Sequence, residues 1–114
     1  MLDINLEFHK GILFVRLDGI LNKNTVDKLD DEVTNLIKEN GIRNIVFNIS
    51  NLNSIDCDGI NGLLNNYEIC KLNNGKSLVC GLNGIVKQTI NKSRLLKYMY
   101  EATDELSAVN VINL

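Results

Sequence analysis

The chain has 114 residues, 45% of them hydrophobic and 23% charged, with a formal net charge of −2. That is the composition of one globular domain, residues 1–114, rather than of a disordered or fibrous chain. A sequence pI of about 5.3 leaves no basic excess to neutralise phosphates, which sets nucleic acid aside as a partner.

Leu2, Ile4, Leu6 and Phe8 alternate with Asp3, Asn5, Glu7 and His9. This predicts a first strand with one wet face. Lys10-Gly11 reads as a tight turn. A denser apolar run over residues 12–17 reads as a second, more buried strand that closes a hairpin. Asn24 is placed to cap a helix over residues 25–40, with Val26, Leu29, Val33, Leu36 and Ile37 on one face and Gly41 just past its end. Ile45-Val46-Phe47-Asn48-Ile49 is short, apolar and rich in β-branched residues, as a strand buried on both faces should be.

Residues 50–55 read as a polar loop leading to Asp56-Cys57-Asp58-Gly59. Ile60, Leu63, Leu64, Tyr67 and Cys70 then carry the clearest helical period in the chain, which Asn73-Asn74-Gly75 ends. Residues 77–80 predict a strand. Asn83 is expected to cap a short helix to about residue 91, buried through Val86, Thr89 and Ile90. Residues 98–101 predict a last strand, and Thr103 is expected to cap a C-terminal helix with Asp104 and Glu105 in its positive first turn. The fold class is α/β in the order β-β-α-β-α-β-α-β-α, a mainly parallel sheet with an N-terminal hairpin and helices covering it.

Right-handed crossovers make the second and third strands parallel, so the loops at residues 19–24 and 50–58 share one end of the sheet. In open α/β sheets that end is the usual binding site. The candidate site residues there are Asn22, Asn24, Thr25, Asp56, Cys57, Asp58 and Gly59. On physical grounds alone, Asp56 and Asp58 cap and charge the start of a helix.

Catalysis has little to stand on. Asp56-x-Asp58 after a strand resembles the nucleophile loop of haloacid-dehalogenase-type phosphatases. Its spacing from the strand is long, however, and Gly59-Ile60 stands where Thr or Val usually follows. The alternating acids and distal Glu of an EF-hand are missing. Cys57 is flanked by two acids, which oppose the thiolate, and His9, the one histidine, falls on a polar strand face. Lys92, Arg94 and Lys97 read as a solvated face, and no Gly-rich phosphate loop is seen. Cys57, Cys70 and Cys80 form neither a disulfide framework nor a zinc motif, so reduced thiols in a cytoplasm are expected. No metal or cofactor is called for. The start of the chain lacks the form of a signal peptide, and no apolar run is long enough to span a membrane.

Several segments, taken in order, resemble the STAS domain, and specifically the bacterial anti-sigma factor antagonists of the sporulation and general-stress type. Val15-Arg16-Leu17-Asp18-Gly19-Ile20-Leu21 resembles the family's second strand and Gly-x-Leu turn, with Thr25 and its helix in place. Asn44 to Ile49, Leu52 and Ile55 match the third strand and its loop. Asp56-Cys57-Asp58-Gly59-Ile60 falls on the Asp-Ser-Ser-Gly-Leu signature, and Gly75 to Cys80 and Val86-Lys87 also match.

The resemblance implies a non-enzymatic regulator in the cytoplasm. Its partner would be an anti-sigma factor of serine-kinase fold, and binding would free a sigma factor. In the family the kinase phosphorylates the second Ser of the signature, and the antagonist then releases it. Here Asp58 occupies that phosphosite, so transfer to that hydroxyl is impossible. A carboxylate carries about −1 where phosphoserine carries about −1.5 to −2. Asn22 stands where the family usually has an Asp, so one negative charge has moved from the first loop to the second. Asp58 is compatible with constitutive binding or with a locked phospho-mimic. The alternative is a STAS subunit of a transporter or stress-signalling complex without phospho-regulation. A monomer is the default expectation.

Overall fold

The computed structural model describes residues 1–114. Its centre is a five-stranded sheet in the order β1-β2-β3-β4-β5. β1 (Leu2–His9) and β2 (Ile12–Leu21) form an antiparallel hairpin. Lys10 (φ 50°) and Gly11 (φ 82°) supply the two positive φ angles of a type I′ turn, the two-residue connection that matches strand twist. β3 (Asn44–Ile55), β4 (Ser77–Cys80) and β5 (Tyr100–Ala102) follow in parallel.

Three crossovers connect the parallel strands on one face of the sheet. The first is α1 (Val26–Leu29), running through a π-helical turn (Asp30–Thr34) into α2 (Asn35–Asn40). The second is α3 (Cys57–Leu72). The third holds α4 (Gly84–Asn91) and a short α5 (Leu95–Tyr98). Leu13, Val15 and Leu17 of β2 and Ile45, Phe47 and Ile49 of β3 meet Leu29, Val33, Ile37, Leu63 and Ile90 in this main core. The intervening side chains Ile12, Phe14, Val46, Leu78 and Cys80 face the other way, where Ala108 of α6 (Glu105–Ile112) covers them. The period of two along buried strands thus sorts residues between two cores.

Several expected boundaries change. The predicted loop at residues 50–55 is strand, because β2 runs on past Leu17 to Leu21 and offers it a partner. Asp18 pairs with Asn51, Gly19 with Leu52 and Leu21 with Ile55, across two register shifts. The first helix starts at Val26, and Asn24 does not cap it: its N-cap position is Thr25, without a side-chain bond. Asn83 occupies the N-cap of α4, but its amide donates to the carbonyls of Ser50 and Gly81 instead of accepting. Thr89 is only half-buried. The last strand starts two residues later than predicted, since residues 95–98 are helical. The final helix is capped by Asp104, whose Oδ1 accepts from the Ser107 N–H at 2.9 Å, and not by Thr103.

The π-helical turn places Thr34 against α3. Its hydroxyl lies 3.0 Å from Asn66 Oδ1 and 3.2 Å from Asp30 Oδ1, and the buried Asn66 amide donates to the Gly62 carbonyl. This satisfied polar cluster sits inside an otherwise apolar helix contact.

Candidate functional site at the start of α3

β3 ends at Ile55 and α3 begins at Cys57, so Asp56 forms the corner between them. Asp56 is extended (φ −115°, ψ −174°), and its Oδ1 accepts from the Gly59 N–H at 2.9 Å. This is the capping bond expected from the sequence. The other oxygen, Oδ2, accepts from the Lys23 N–H at 3.1 Å. The Asp56 N–H donates to the Leu21 carbonyl at 3.3 Å. One residue therefore joins the end of β2, the 22–25 loop and the first turn of α3.

The 22–25 loop is fixed by its own side chains. Asn22 Oδ1 accepts from the Asn24 N–H at 2.9 Å, a local turn that an Asp side chain would make equally well. The Asn22 carbonyl accepts from the N–H groups of Thr25 and Val26. The Thr25 hydroxyl donates to the Ile20 carbonyl at 2.8 Å and accepts from the Asn22 N–H at 2.9 Å. Asn22 and Thr25 are half-buried and shape the loop, whereas Lys23 and Asn24 are exposed.

Cys57 and Asp58 are both exposed on the first turn of α3. There Asp58 meets the positive end of a 16-residue helix, a favourable place for a carboxylate. Gly59 is buried. A Cβ there would stand 2.5 Å from the Leu21 carbonyl oxygen and 2.9 Å from Ile55 Cγ1, so only glycine lets α3 begin this close to β2. All seven predicted site residues thus gather at the C-terminal end of β2 and β3. Asn24, Cys57 and Asp58 form the outer surface; Asn22, Thr25, Asp56 and Gly59 hold it in place.

A third loop reaches the same end of the sheet and was not anticipated. Asn83 donates to the Ser50 carbonyl at 3.1 Å, tying the connection after β4 to the extension of β3. Nothing local marks this contact; it follows from β3 being long enough to reach residue 50. No group of three or more His, Cys, Asp or Glu side chains could hold a metal ion. No side-chain hydrogen bond links Cys57 to a base, and His9 lies exposed on β1. The arrangement presents an acid-bearing surface, with Asp58 exposed on the first turn of α3.

The chain and its fold are similar to those of known proteins. A family model described as the STAS domain matches residues 3–108. The chain belongs to the STAS domain family. It is 31% identical over 108 residues to the anti-sigma F factor antagonist of Paenibacillus polymyxa, covering 95% of this chain and 92% of that one. In structure it is similar to an anti-sigma factor antagonist of Mycobacterium paratuberculosis, with a TM-score of 0.89, 17% identity and coverage of 100% and 96% of the two chains. It is also similar to part of the murine Slc26a9 anion transporter, with a TM-score of 0.77 and 12% identity over 94% of this chain and 18% of that one. The antagonist relatives are named for opposing an anti-sigma factor, not for catalysis. No helix of this STAS protein is long and apolar enough to cross a membrane.

Proposed function

We propose that this STAS protein is an anti-sigma factor antagonist that binds without phospho-regulation at position 58. It docks an anti-sigma factor of serine-kinase fold in the cytoplasm and thereby frees a sigma factor. The docking surface is the outer side of the 22–25 loop and the first turn of α3. The observation that carries this reading is the placement of Asp58. It is exposed on the first turn, beside a loop that Asp56 holds through the Lys23 N–H. Asp56-Cys57-Asp58-Gly59-Ile60 resembles the family's Asp-Ser-Ser-Gly-Leu signature, which implies Asp58 at the phosphorylated serine, and a carboxylate cannot accept a phosphoryl group as that hydroxyl does.

The charge moved from position 22 to position 58 supports retained binding. Asn22 keeps the turn-forming role of an acid through Oδ1, while the negative charge reappears across the 23–56 bridge. The two loops are adjacent, so their combined charge is that of a family member with Asp in the first loop and unmodified Ser in the second.

The test is a pull-down from the source cytoplasm with wild type and Asp58→Ser, read by mass spectrometry. Recovery of a kinase-fold anti-sigma factor by wild type is the expected result. Recovery by Asp58→Ser alone would identify a locked phospho-mimic and overturn constitutive binding. Recovery of a transporter ATPase instead would replace the antagonist reading with that of a transporter subunit.

A further inference from the structure

The two edges of the sheet differ sharply. β5 is a three-residue edge, too short to recruit another strand. β1 is an eight-residue edge, paired with β2 in unbroken register and free of proline. The usual protections of an edge strand, a bulge, a proline or a covering helix, are missing over most of its length.

The hydrogen-bond phase of β1 can be read from its ends. The Ile20 N–H donates to the Met1 carbonyl at 2.9 Å, so Met1 and Ile20 form a hydrogen-bonded pair. In an antiparallel ladder such pairs alternate with non-bonded ones. Asp3, Asn5, Glu7 and His9 therefore turn their backbone groups toward β2. Leu2, Ile4, Leu6 and Phe8 turn theirs outward. The Leu2 carbonyl is satisfied within the chain, by Lys28 Nζ at 2.7 Å. The outward backbone groups of Ile4, Leu6 and Phe8 have no partner among the contacts of the sheet.

The side chains of the same residues are apolar; Ile4 packs partly against the main core, and the other two are exposed. Leu6 is 37% and Phe8 60% exposed. Phe8 also walls an open groove of about 400 Å³ with Leu13, Leu36, Asn40 and Ile42. The strand thus shows unpaired backbone groups and apolar side chains at the same three positions.

We infer that β1 pairs with β1 of a second copy of this chain, antiparallel about a two-fold axis at Leu6, to make a continuous ten-stranded sheet. Charge excludes the two neighbouring registers, and the outward backbone positions favour the one between them. A two-fold at Asn5 would set Asp3 against Glu7 of the second copy, and a two-fold at Glu7 would set two Glu7 carboxylates together. Like charges directly opposite each other destabilise a ladder. A two-fold at Leu6 avoids both. It sets Leu6 against Leu6, Ile4 against Phe8, Asn5 against Glu7 and Asp3 against His9 of the second copy. It also bonds the three residues whose backbone groups face outward, and it stops short of Leu2, which Lys28 already occupies. The interface is self-complementary, as a two-fold contact must be. It is small, so association is weak and visible only at high concentration. It leaves Asn24, Cys57 and Asp58 exposed, so the inference stands independently of the proposed docking function.

The test is sedimentation equilibrium of the full chain across a concentration series into the millimolar range. The mass is expected to rise from 12.8 kDa toward twice that value. Leu6→Lys would place two ammonium groups on the axis at an exposed site, and the dimer is expected to be lost with the circular dichroism spectrum unchanged. Register is tested by bis-maleimide cross-linking in a Cys57→Ser background. Leu6→Cys should link to itself. Phe8→Cys should link to Ile4→Cys in a mixture of the two, and not to itself. A wild type that stays at 12.8 kDa throughout overturns the inference. So does a dimer that survives Leu6→Lys, or self-linking by Phe8→Cys.

Discussion

Asp56 Oδ2 accepts a hydrogen bond from the Lys23 N–H at 3.1 Å while Oδ1 caps α3 at Gly59. A single carboxylate therefore sets both the start of a helix and its distance from a loop 33 residues away in sequence. Asp56→Ala removes both bonds and is expected to cost about 1–2 kcal/mol of stability. Asp56→Asn retains only one acceptor oxygen for two donors, so its loss should be smaller. Urea denaturation of the two variants beside wild type checks the order. An Asp56→Ala protein as stable as wild type would show that neither bond matters.

Gly59→Ala adds a methyl group against the Leu21 carbonyl oxygen, which lies 2.5 Å from the added Cβ. The neighbour is backbone and cannot rotate away. The substitution is expected to destabilise by about 1–3 kcal/mol and to push α3 outward. The matching control is Gly11→Ala in the hairpin turn, where the methyl group meets no atom within 4 Å and the cost comes only from the positive φ. Thermal denaturation compares the two.

Arg16 and Glu105 hold α6 to the sheet through a fork of two bonds, Nε to Oε2 at 2.8 Å and Nη2 to Oε1 at 2.9 Å. Asn48 Nδ2 adds a third bond to Oε2 at 2.8 Å. The guanidinium holds the Glu105 carboxyl below its ordinary 4.5. A carboxyl depressed in the folded state stabilises fully above its unfolded value and loses that contribution as pH falls through the folded one. Glu105→Gln is therefore expected to cost about 1 kcal/mol at neutral pH, a modest figure because the pair is partly exposed. The gap to wild type should narrow as pH drops below 4.5. Unfolding free energies measured at a series of pH values would show it. A gap independent of pH would mean that shape, not charge, holds α6.

Cys57 is exposed, whereas Cys70 and Cys80 are buried. Burial pushes the Cys70 thiol up and takes Cys80 to about 11, where Glu105 and Asp104 add to the shift. The reactive species is the thiolate. A thiol reagent at neutral pH should modify one cysteine per chain in the native state and three after denaturation. Peptide mapping should place the first label on Cys57. Fast labelling of Cys80 would mean that α6 opens readily from the sheet.

Much of the candidate site was legible because its signals are local. Asp56, with Asp58 two residues on, is an N-terminal helix signal, and the run from Ile60 to Cys70 sets which face of α3 is buried. The right-handed crossover rule brought the 19–24 and 50–58 loops to one end of the sheet before any contact was known. What was missed has no local signal. Residues 50–55 read as a loop from their polar composition. They are strand because β2 continues beside them, and the partner lies more than thirty residues away. Asn24 and Thr103 are good capping residues by type. The N-cap of α1 falls instead at Thr25, without a side-chain bond, and Asp104 rather than Thr103 caps α6.

The sequence by itself determined the types of the main elements, a tight hairpin turn at Lys10-Gly11 and the cap at Asp56. It also carried membership of the STAS family, through motifs whose order spans nearly the whole chain. The elements, the turn and the cap each rest on residues a few positions apart. Only the tertiary structure decided the pairing of Arg16 with Glu105, 89 residues away, the reach of Asn83 to Ser50, and the outward phase of the β1 backbone. Side-chain periodicity says which face of a strand is apolar. It does not say which carbonyls face a neighbour, because a hydrogen bond across a sheet is set by register, and register is a property of two segments together.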